Sequence, residues 1–118
     1  MTLEDFKRAL EGASEVEITV TGRSSGREIS LPLWFVQAGD RLHLLPIHGS
    51  DSHWYRNLVQ TPAIRVEADG AELNAAAAPI TDDAKVREVV NEFGAKYGAE
   101  RVEAYYPKRN VAIEVPLA

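Results

Sequence analysis

"EVEITVTGRSSGREISLPLWF", residues 15–35, holds two segments in which apolar and polar side chains alternate, separated by a loop of glycine, serine and arginine. An alternation with a period of two places every second side chain on one face of an extended strand. Residues 16–20 and 29–35 are therefore predicted to form the two strands of a β-hairpin, and the loop between them is "TGRSSGRE", residues 21–28.

The same period of two recurs in four later segments of the chain. Leu42 and Leu44 share one face of a third strand, and Asp69 and Gly70 form a favoured two-residue turn between the fourth and fifth strands. Residues 111–115 close the chain as the sixth. Hairpin-linked strands in a small protein expose unpaired edges unless the sheet curls on itself. We therefore expect a mainly β (α+β) fold, a small six-stranded antiparallel barrel with flanking helices.

Three segments have apolar residues at helical spacing. The first begins with a capping signature, Thr2 followed by Asp5, and ends at Gly12. The second is short and lies within "IHGSDSHWYRNLVQTP", residues 47–62. The third is predicted to be capped by Thr81, and its apolar stripe comprises Val86, Val89, Val90, Phe93 and Tyr97.

Composition limits the function classes. The 118 residues have the length of one domain, and 45% of them are hydrophobic, so we expect a single folded domain over residues 1–118. The formal net charge of -5 would repel nucleic acid and anionic membranes, so neither is an expected partner. The chain has no cysteine and no apolar run near the roughly 18 residues that a membrane span needs. We expect a cytoplasmic protein without disulfides or membrane spans.

The hairpin loop has the chemistry of an anion site. Gly22 and Gly26 bracket Arg23 and two serines, and Arg27 follows. Glycines let backbone amides turn toward one point, serine hydroxyls add donors and arginines add charge, a combination that suits phosphate or carboxylate. The same residue types are also ordinary in exposed turns, so the loop by itself leaves both interpretations open.

The order of the motifs after this loop narrows the choice. "TGRSSGRE" is followed by "PLWFV", "AGDRLHLL" and "HGSDSHWYRNLVQTPAIRVE". In order and spacing these segments resemble the deazaflavin-dependent nitroreductase family, which typically shows G-R-x-S-G, P-L-x-x, a G-D-R turn and W-x-x-N-L-x-x-x-P. The resemblance implies a split β-barrel that binds coenzyme F420. It also implies hydride transfer from the reduced cofactor to a small conjugated, quinone-like or nitro acceptor.

The resemblance also implies a cofactor site, residue by residue. Contacts with the phosphate and anionic tail fall on the hairpin loop, at Arg23, Ser24, Ser25, Gly26 and Arg27. The cofactor ring would lie along Pro32, Leu33 and Trp34. A second loop would cover its other side, comprising Pro46, Ile47, His48, Gly49 and Ser50, with Trp54 and Asn57 anchoring the helix behind it.

Three positions depart from the family pattern. Members that use the coenzyme tend to carry basic residues where this chain has Ser24, Ile29 and His48. Fewer charges weaken the hold on a polyanionic tail, since each charge-assisted hydrogen bond is worth about 1.5–3 kcal/mol. FMN, which has one phosphate, is therefore the alternative cofactor. A non-catalytic barrel that binds a cofactor or an apolar ligand is the alternative from another functional class.

The chain offers few proton donors for such a reaction. His48 in the second loop and Tyr106 after the last helix are the candidate catalytic residues. The histidines at 43, 48 and 53 recur every five residues, but this odd spacing places the first two on opposite faces of a strand. No metal site is expected. Trp54 is expected in the core, whereas Trp34 is equally suited to a core or a flat ligand.

A homodimer formed through barrel strands is the last expectation. A barrel of this size has a thin core, and Trp34, Val36 and Leu45 would place apolar surface on the second face of their strands. A second copy of the chain could cover that surface.

Overall fold

The computed structural model describes residues 2–117. Within this range the eight strands are β1 (Val16–Thr21), β2 (Glu28–Leu33), β3 (Val36–Ala38), β4 (Arg41–Leu44), β5 (Ala63–Ala68), β6 (Ala71–Ala76), β7 (Ala78–Ile80) and β8 (Ala112–Pro116). The four α-helices are α1 (Leu3–Glu11), α2 (His53–Gln60), α3 (Asp83–Tyr97) and α4 (Ala99–Tyr105).

The strands form two four-stranded antiparallel sheets, so the expected α+β class is confirmed. The first sheet has the order β2-β1-β5-β6 and the second the order β3-β4-β8-β7. The predicted count of six strands is wrong for two reasons. The chain leaves the first sheet at Trp34 and Phe35 and forms the additional strand β3 beyond the predicted second strand, and the predicted fifth strand is divided at Ala77 into β6 and β7.

Helix α3 satisfies the backbone at the first division. The Phe35 N–H donates to the Tyr97 hydroxyl at 3.1 Å, and the Phe35 carbonyl accepts from the Lys96 ammonium at 2.8 Å. A backbone group that leaves a ladder must find another partner when it is buried. These side chains therefore allow the chain to pass from one sheet to the other at Phe35.

The predicted hairpin and the predicted two-residue turn are confirmed, and both depend on residues that are close together in the sequence. β1 and β2 pair from Val16 with Leu33 to Thr21 with Glu28, as the hairpin pattern predicts. Because β2 is an edge strand, Pro32 costs no ladder hydrogen bond to a further strand. Asp69 and Gly70 have φ values of 51° and 79°, which the two-residue turn between β5 and β6 requires.

The helix predictions are confirmed for α1 and corrected for α3 and α4. The Thr2 capping box and the end of α1 at Gly12 are confirmed. Helix α3, however, is capped by Asp82 rather than Thr81, because the Asp82 carboxylate accepts from the Lys85 amide. Gly98, at φ 101°, then ends α3 and allows α4 to begin, a helix that the sequence pattern did not predict.

Apolar side chains form two clusters. The larger combines side chains of both sheets with α1 and α2, and it contains Trp54, as expected. The smaller lies between the other face of the second sheet and helices α3 and α4, and is centred on Leu45, Val89, Phe93, Val102, Tyr106 and Ala112. Leu45 is buried in this cluster, and Trp34 and Val36 pack against it. The apolar surface that a second copy of the chain was expected to cover is therefore packed, at these three residues, against the chain's own helices.

Candidate functional site

Arg23 fastens the hairpin loop to helix α2. Its Nη1 donates to the Asn57 side-chain oxygen at 2.8 Å and to the His53 carbonyl at 3.3 Å, and its Nη2 lies 3.2 Å from Nδ1 of His53. The Arg23 amide donates to the same Asn57 oxygen at 3.1 Å. Residues 34 positions apart are thus joined, and the Arg23 guanidinium is occupied by protein partners.

The remainder of this loop is folded back on itself. The buried Gly22 donates its amide to the Arg27 carbonyl at 2.8 Å, and the Gly26 amide donates to the Gly22 carbonyl at 2.9 Å. The side chains of Ser24, Ser25 and Arg27 are exposed. Within residues 2–117 the amides of Ser24 and Ser25 donate no hydrogen bond. Those two amides, the two serine hydroxyls and the Arg27 guanidinium are therefore groups that this loop can offer to an anion.

The second loop, residues 46–51, is docked on the segment that connects α4 to β8. The Ser50 amide donates to the Asn110 side-chain oxygen at 3.0 Å, and Asn110 Nδ2 donates to the Ser50 hydroxyl at 2.9 Å. Lys108 donates to the Asp51 carboxylate at 2.7 Å, and this hydrogen bond lowers the pKa of Asp51. These contacts hold the backbone of His48 in one position.

Gly49 is the point of closest approach between these two segments. Its φ is 55°, and a Cβ at this position would collide with the Asn110 side chain and would lie 3.1 Å from the Lys108 carbonyl oxygen. Only glycine meets both the conformation and the space. The sequence alone did not indicate why a glycine stands here.

Trp34 lies in a stack of aromatic rings. The Tyr97 ring is 4.3 Å from it at an interplanar angle of 7°, and the Tyr105 ring is 4.7 Å from it at 23°. Tyr97 and Tyr105 make no ring contact with each other in the described chain, so they cover opposite faces of the indole. Neither face of Trp34 is free for a flat ligand in this conformation.

The two candidate proton donors differ in access. Tyr106 is 1% exposed, with its ring packed edge-on against Trp34 and Phe93, and burial raises its pKa. The packing against these rings encloses the Tyr106 ring. The His48 side chain is exposed, and its imidazole makes no hydrogen bond within the described residues. Tyr105, which sequence reasoning did not choose, is 47% exposed on the outside of the stack.

The structure brings the predicted residues together in a chain of contacts rather than in one pocket. Arg23 meets α2 at His53 and Asn57, and the His48 amide donates to the Ser52 hydroxyl at 2.9 Å just before that helix. From the same loop Ile47 packs against the smaller apolar cluster, as Trp34 does. The other predicted ring contacts lie on β2, where Pro32 is exposed and Leu33 is buried.

The distance along β2 limits what could touch both ends. Trp34 lies six positions after Glu28 in the sequence. At about 3.3 Å per residue, Trp34 is roughly 20 Å along the strand from the hairpin loop. A ligand that touches both the loop and Trp34 must therefore be extended along the strand.

The largest cavity described lies elsewhere. It has a volume of about 600 Å³ and is lined by β3, β4, β7, β8 and the first turns of α3. None of the predicted site residues lines it, whereas Arg41, His43 and Glu114 do. Sequence reasoning weighed His43 only as a metal ligand. The one available signal was a histidine inside an otherwise apolar strand.

Two negative observations apply to residues 2–117. No group of three or more histidine, aspartate or glutamate side chains there is arranged to hold a metal ion. No helix within the same range is long and apolar enough to cross a membrane.

Comparison with known families gives an assignment. The family model described as "Uncharacterized protein conserved in bacteria (DUF2255)" matches residues 7–113, which is most of the chain. The protein belongs to the DUF2255 family. Among proteins with curated descriptions, none matches the sequence of this DUF2255 protein.

Solved structures resemble this DUF2255 protein in fold. An F420-H2 dependent reductase (FDR-A) is 20% identical, with a TM-score of 0.67 over 86% of this chain and 93% of its own. HutZ, the heme storage protein from Vibrio cholerae, is 17% identical, with a TM-score of 0.73 over 98% and 90%. A putative pyridoxamine 5'-phosphate oxidase from Listeria innocua is 12% identical, with a TM-score of 0.71 over 96% and 90%. At these identities the similarity establishes the split-barrel fold.

Proposed function

We propose that this DUF2255 protein is an oxidoreductase that holds reduced coenzyme F420, with FMN as the alternative, and reduces a small conjugated, quinone-like or nitro acceptor. The observation that carries the proposal is the contact of Arg23 with Asn57 at 2.8 Å. It joins the "GRSSGR" loop to the helix of "WYRN", the two motifs most closely tied to the cofactor by resemblance. The fold shared with an F420-H2 dependent reductase supports the same conclusion.

The hairpin loop fits one phosphate group. Ser24 and Ser25 each present a free amide and an exposed side chain, and Arg27 adds one exposed guanidinium. Backbone amides and an arginine are the donors that phosphate prefers. Arg23 directs three of its guanidinium contacts to α2, so fewer of its donors face the anion than the sequence suggested. The small number of positive groups at this loop favours a ligand with a short anionic group over one with a polyanionic tail.

The ring end of the site fits a flat ligand only after one movement. Tyr105 is the last residue of α4, and its ring covers the outer face of Trp34 at a distance of 4.7 Å between ring centroids. The Tyr105 side chain is about half exposed. A change of its χ1 angle would uncover the indole face without disturbing the stack with the partly buried Tyr97. We propose that Tyr105 occupies the position of the ligand ring when the site is empty of ligand.

The cofactor, when bound, supplies the hydride chemistry. The chain's own residues place it and manage protons. Ser24, Ser25 and Arg27 would bind the phosphate, and the exposed Pro32 would lie beside the ring. The His48 imidazole, exposed on a loop fixed by Lys108 and Asn110, would donate a proton to the acceptor.

A non-catalytic binding barrel is the second candidate. The aromatic stack favours it, because Trp34 is covered on both faces and Tyr106 is buried. A barrel of this kind would hold a cofactor or an apolar ligand without turnover. HutZ, which shares the fold, is described as a heme storage protein.

The test begins with the visible spectrum of the purified protein. FMN and coenzyme F420 are then titrated separately against the natural protein and against Tyr105→Ala, with cofactor fluorescence as the signal. The proposal expects one cofactor to bind, with tighter binding by Tyr105→Ala, and expects the reduced complex to transfer hydride to a nitro or quinone acceptor. Binding without turnover would favour the non-catalytic barrel, and no binding by either protein would refute both.

We also propose that the protein forms a homodimer. Strand β2 supports this proposal. Within residues 2–117 its outer edge pairs with no other strand, and its Ile29 side chain is 43% exposed. An unpaired edge with an apolar side chain is a template for strand pairing with a second copy. Light scattering of the natural protein and of Ile29→Lys tests this, since a monomeric mass for the natural protein would contradict it.

A further inference from the structure

A cavity of about 600 Å³ lies between the second sheet and the first turns of α3, separate from the proposed cofactor site. Its volume is within the range of roughly 300–1,000 Å³ that small-molecule sites occupy. Part of its wall is apolar, formed by Ala38, Ala78, Pro79, Ile80 and Val89. Most of its lining residues are exposed, so a ligand can enter from solvent.

His43 and two carboxylates form the buried end of this cavity. His43 is 9% exposed, with Nδ1 at 2.7 Å from the Glu92 carboxylate and Nε2 at 3.3 Å from the Glu114 carboxylate. These two contacts hold the imidazole ring from both sides and fix its orientation. Arg41 reaches the same Glu114 oxygen at 3.3 Å.

Two further charges at the cavity have no partner in the described chain. Lys85 and Glu88 both line it, and neither forms an ion pair or side-chain hydrogen bond within residues 2–117. They are three residues apart on α3, a spacing at which opposite charges can pair with each other. Here they stay apart, so an ammonium and a carboxylate both remain available to a ligand.

Side chains of both charge signs line the cavity. Arg41 and Lys85 are positive, and Asp82, Glu88 and Glu114 are negative. A ligand with a single charge would satisfy one of the two free groups on α3 and leave the other without a partner. A ligand with one positive and one negative group satisfies both, while its apolar part contacts the aliphatic wall.

We propose that this cavity is a binding site for a small zwitterion of the α-amino acid class. The ligand carboxylate pairs with Lys85, its ammonium pairs with Glu88, and its side chain lies against Pro79, Ile80 and Val89. His43 and its two carboxylates shape the buried end of the site. Nothing in this site depends on a flavin or deazaflavin.

The first experiment compares three ligands of one shape. Leucine, 3-methylbutylamine and 4-methylpentanoate differ in carrying both charges, only the amine or only the carboxylate. Calorimetric titration is expected to show leucine binding about twofold to fivefold more tightly than either singly charged analogue, since an ion pair with an exposed side chain contributes only modestly. Glycine and phenylalanine, titrated in the same way, test the contribution of the apolar wall.

The second experiment removes one charge at a time. Lys85→Met should weaken leucine binding about twofold to fivefold and leave the binding of 3-methylbutylamine unchanged. Glu88→Gln should weaken leucine binding by a similar factor and leave the binding of 4-methylpentanoate unchanged. Arg87→Met is the matched control, because Arg87 lies on the same helix and does not line the cavity. All three side chains are exposed, so the variants should melt as the natural protein does.

Three results would overturn the proposal. One is equal affinity for leucine and for either singly charged analogue. Another is an unchanged affinity for leucine in both Lys85→Met and Glu88→Gln. The third is the absence of binding by leucine, glycine and phenylalanine together.

Discussion

Replacing Arg23 with alanine tests whether this side chain serves the fold or the ligand. The substitution removes the hydrogen bond from Nη1 to the Asn57 oxygen at 2.8 Å and both contacts with His53. Asn57 is 3% exposed, but its oxygen still accepts from the residue 23 amide at 3.1 Å, so no buried acceptor is left without a donor. The loss is therefore that of the hydrogen bonds alone.

The expected cost follows from the exposure of these bonds. The bond to Asn57 is partly buried and counts about 1 kcal/mol, and the two exposed contacts with His53 add about half that each, for a total near 1.5–2 kcal/mol. For a chain of 118 residues this lowers the melting temperature by roughly 5–10 °C. The measurement is thermal unfolding followed by circular dichroism.

Arg27→Ala is the matched control. Arg27 is in the same loop and exposed, and its side chain has no contact with α2, so its removal should change the melting temperature by about 1 °C or less. Its removal should instead weaken binding of a phosphate-bearing ligand about tenfold to a hundredfold. If Arg23→Ala melted as the control does, Arg23 would not fasten the loop to α2. A double-mutant cycle with Asn57→Ala should show a coupling of about 1 kcal/mol, because the two side chains share one hydrogen bond.

The remaining predictions concern a glycine, the tyrosines and the cofactor charges. Gly49→Ala should lower the melting temperature by several degrees, since a side chain at φ 55° costs about 1–3 kcal/mol and would collide with Asn110. The control is Gly12→Ala, whose added methyl group meets open space and should leave the melting temperature unchanged. The free energy of unfolding should fall as the pH rises above about 10, because the unfolded chain then releases phenolic protons that the folded chain retains. Burial raises the pKa of three tyrosines, Tyr55, Tyr97 and Tyr106. Urea titrations between pH 8 and 11 measure this, and a constant free energy over that range would contradict it. Changing Ser24 and His48 together to lysine should tighten coenzyme F420 binding at least tenfold at low salt and less at moderate salt, as fluorescence titration would show; an unchanged affinity would argue against the deazaflavin.

The order of motifs predicted which segments meet, and the structure shows how. The "GRSSGR" loop and the α2 helix were expected to lie on one site, and Arg23 joins them. Their chemistry was harder to predict. Arg23 has the residue type of an anion ligand, but its guanidinium is occupied by Asn57 and His53. A residue type indicates what a side chain can bind, whereas its actual partner depends on which segment folds against it.

The aromatic residues show the same division. Trp34 and Tyr106 were chosen from position and type, whereas Tyr105 is the ring that is half exposed above Trp34. Which of two adjacent tyrosines faces solvent depends on the orientation of α4. That helix begins after Gly98 and was not visible as a periodic pattern, because only Val102 among its residues is buried.

The sequence by itself determined the features that depend on residues close together in the chain. They include the Thr2 capping box, the alternation that pairs β1 with β2, and the Asp69-Gly70 turn. Each depends on a period of two, on a left-handed backbone or on a hydrogen bond within one turn of helix, and each is therefore encoded locally.

Only the tertiary structure decided how the strands divide between two sheets and what surrounds His43. The alternation runs on through Trp34 and Phe35, because a period of two tells which face a side chain occupies and not which strand lies beside it. The partners of His43 are Glu92 and Glu114, 49 and 71 positions away. Such contacts form when α3 packs across the second sheet, and that packing depends on the burial of side chains from the whole chain at once.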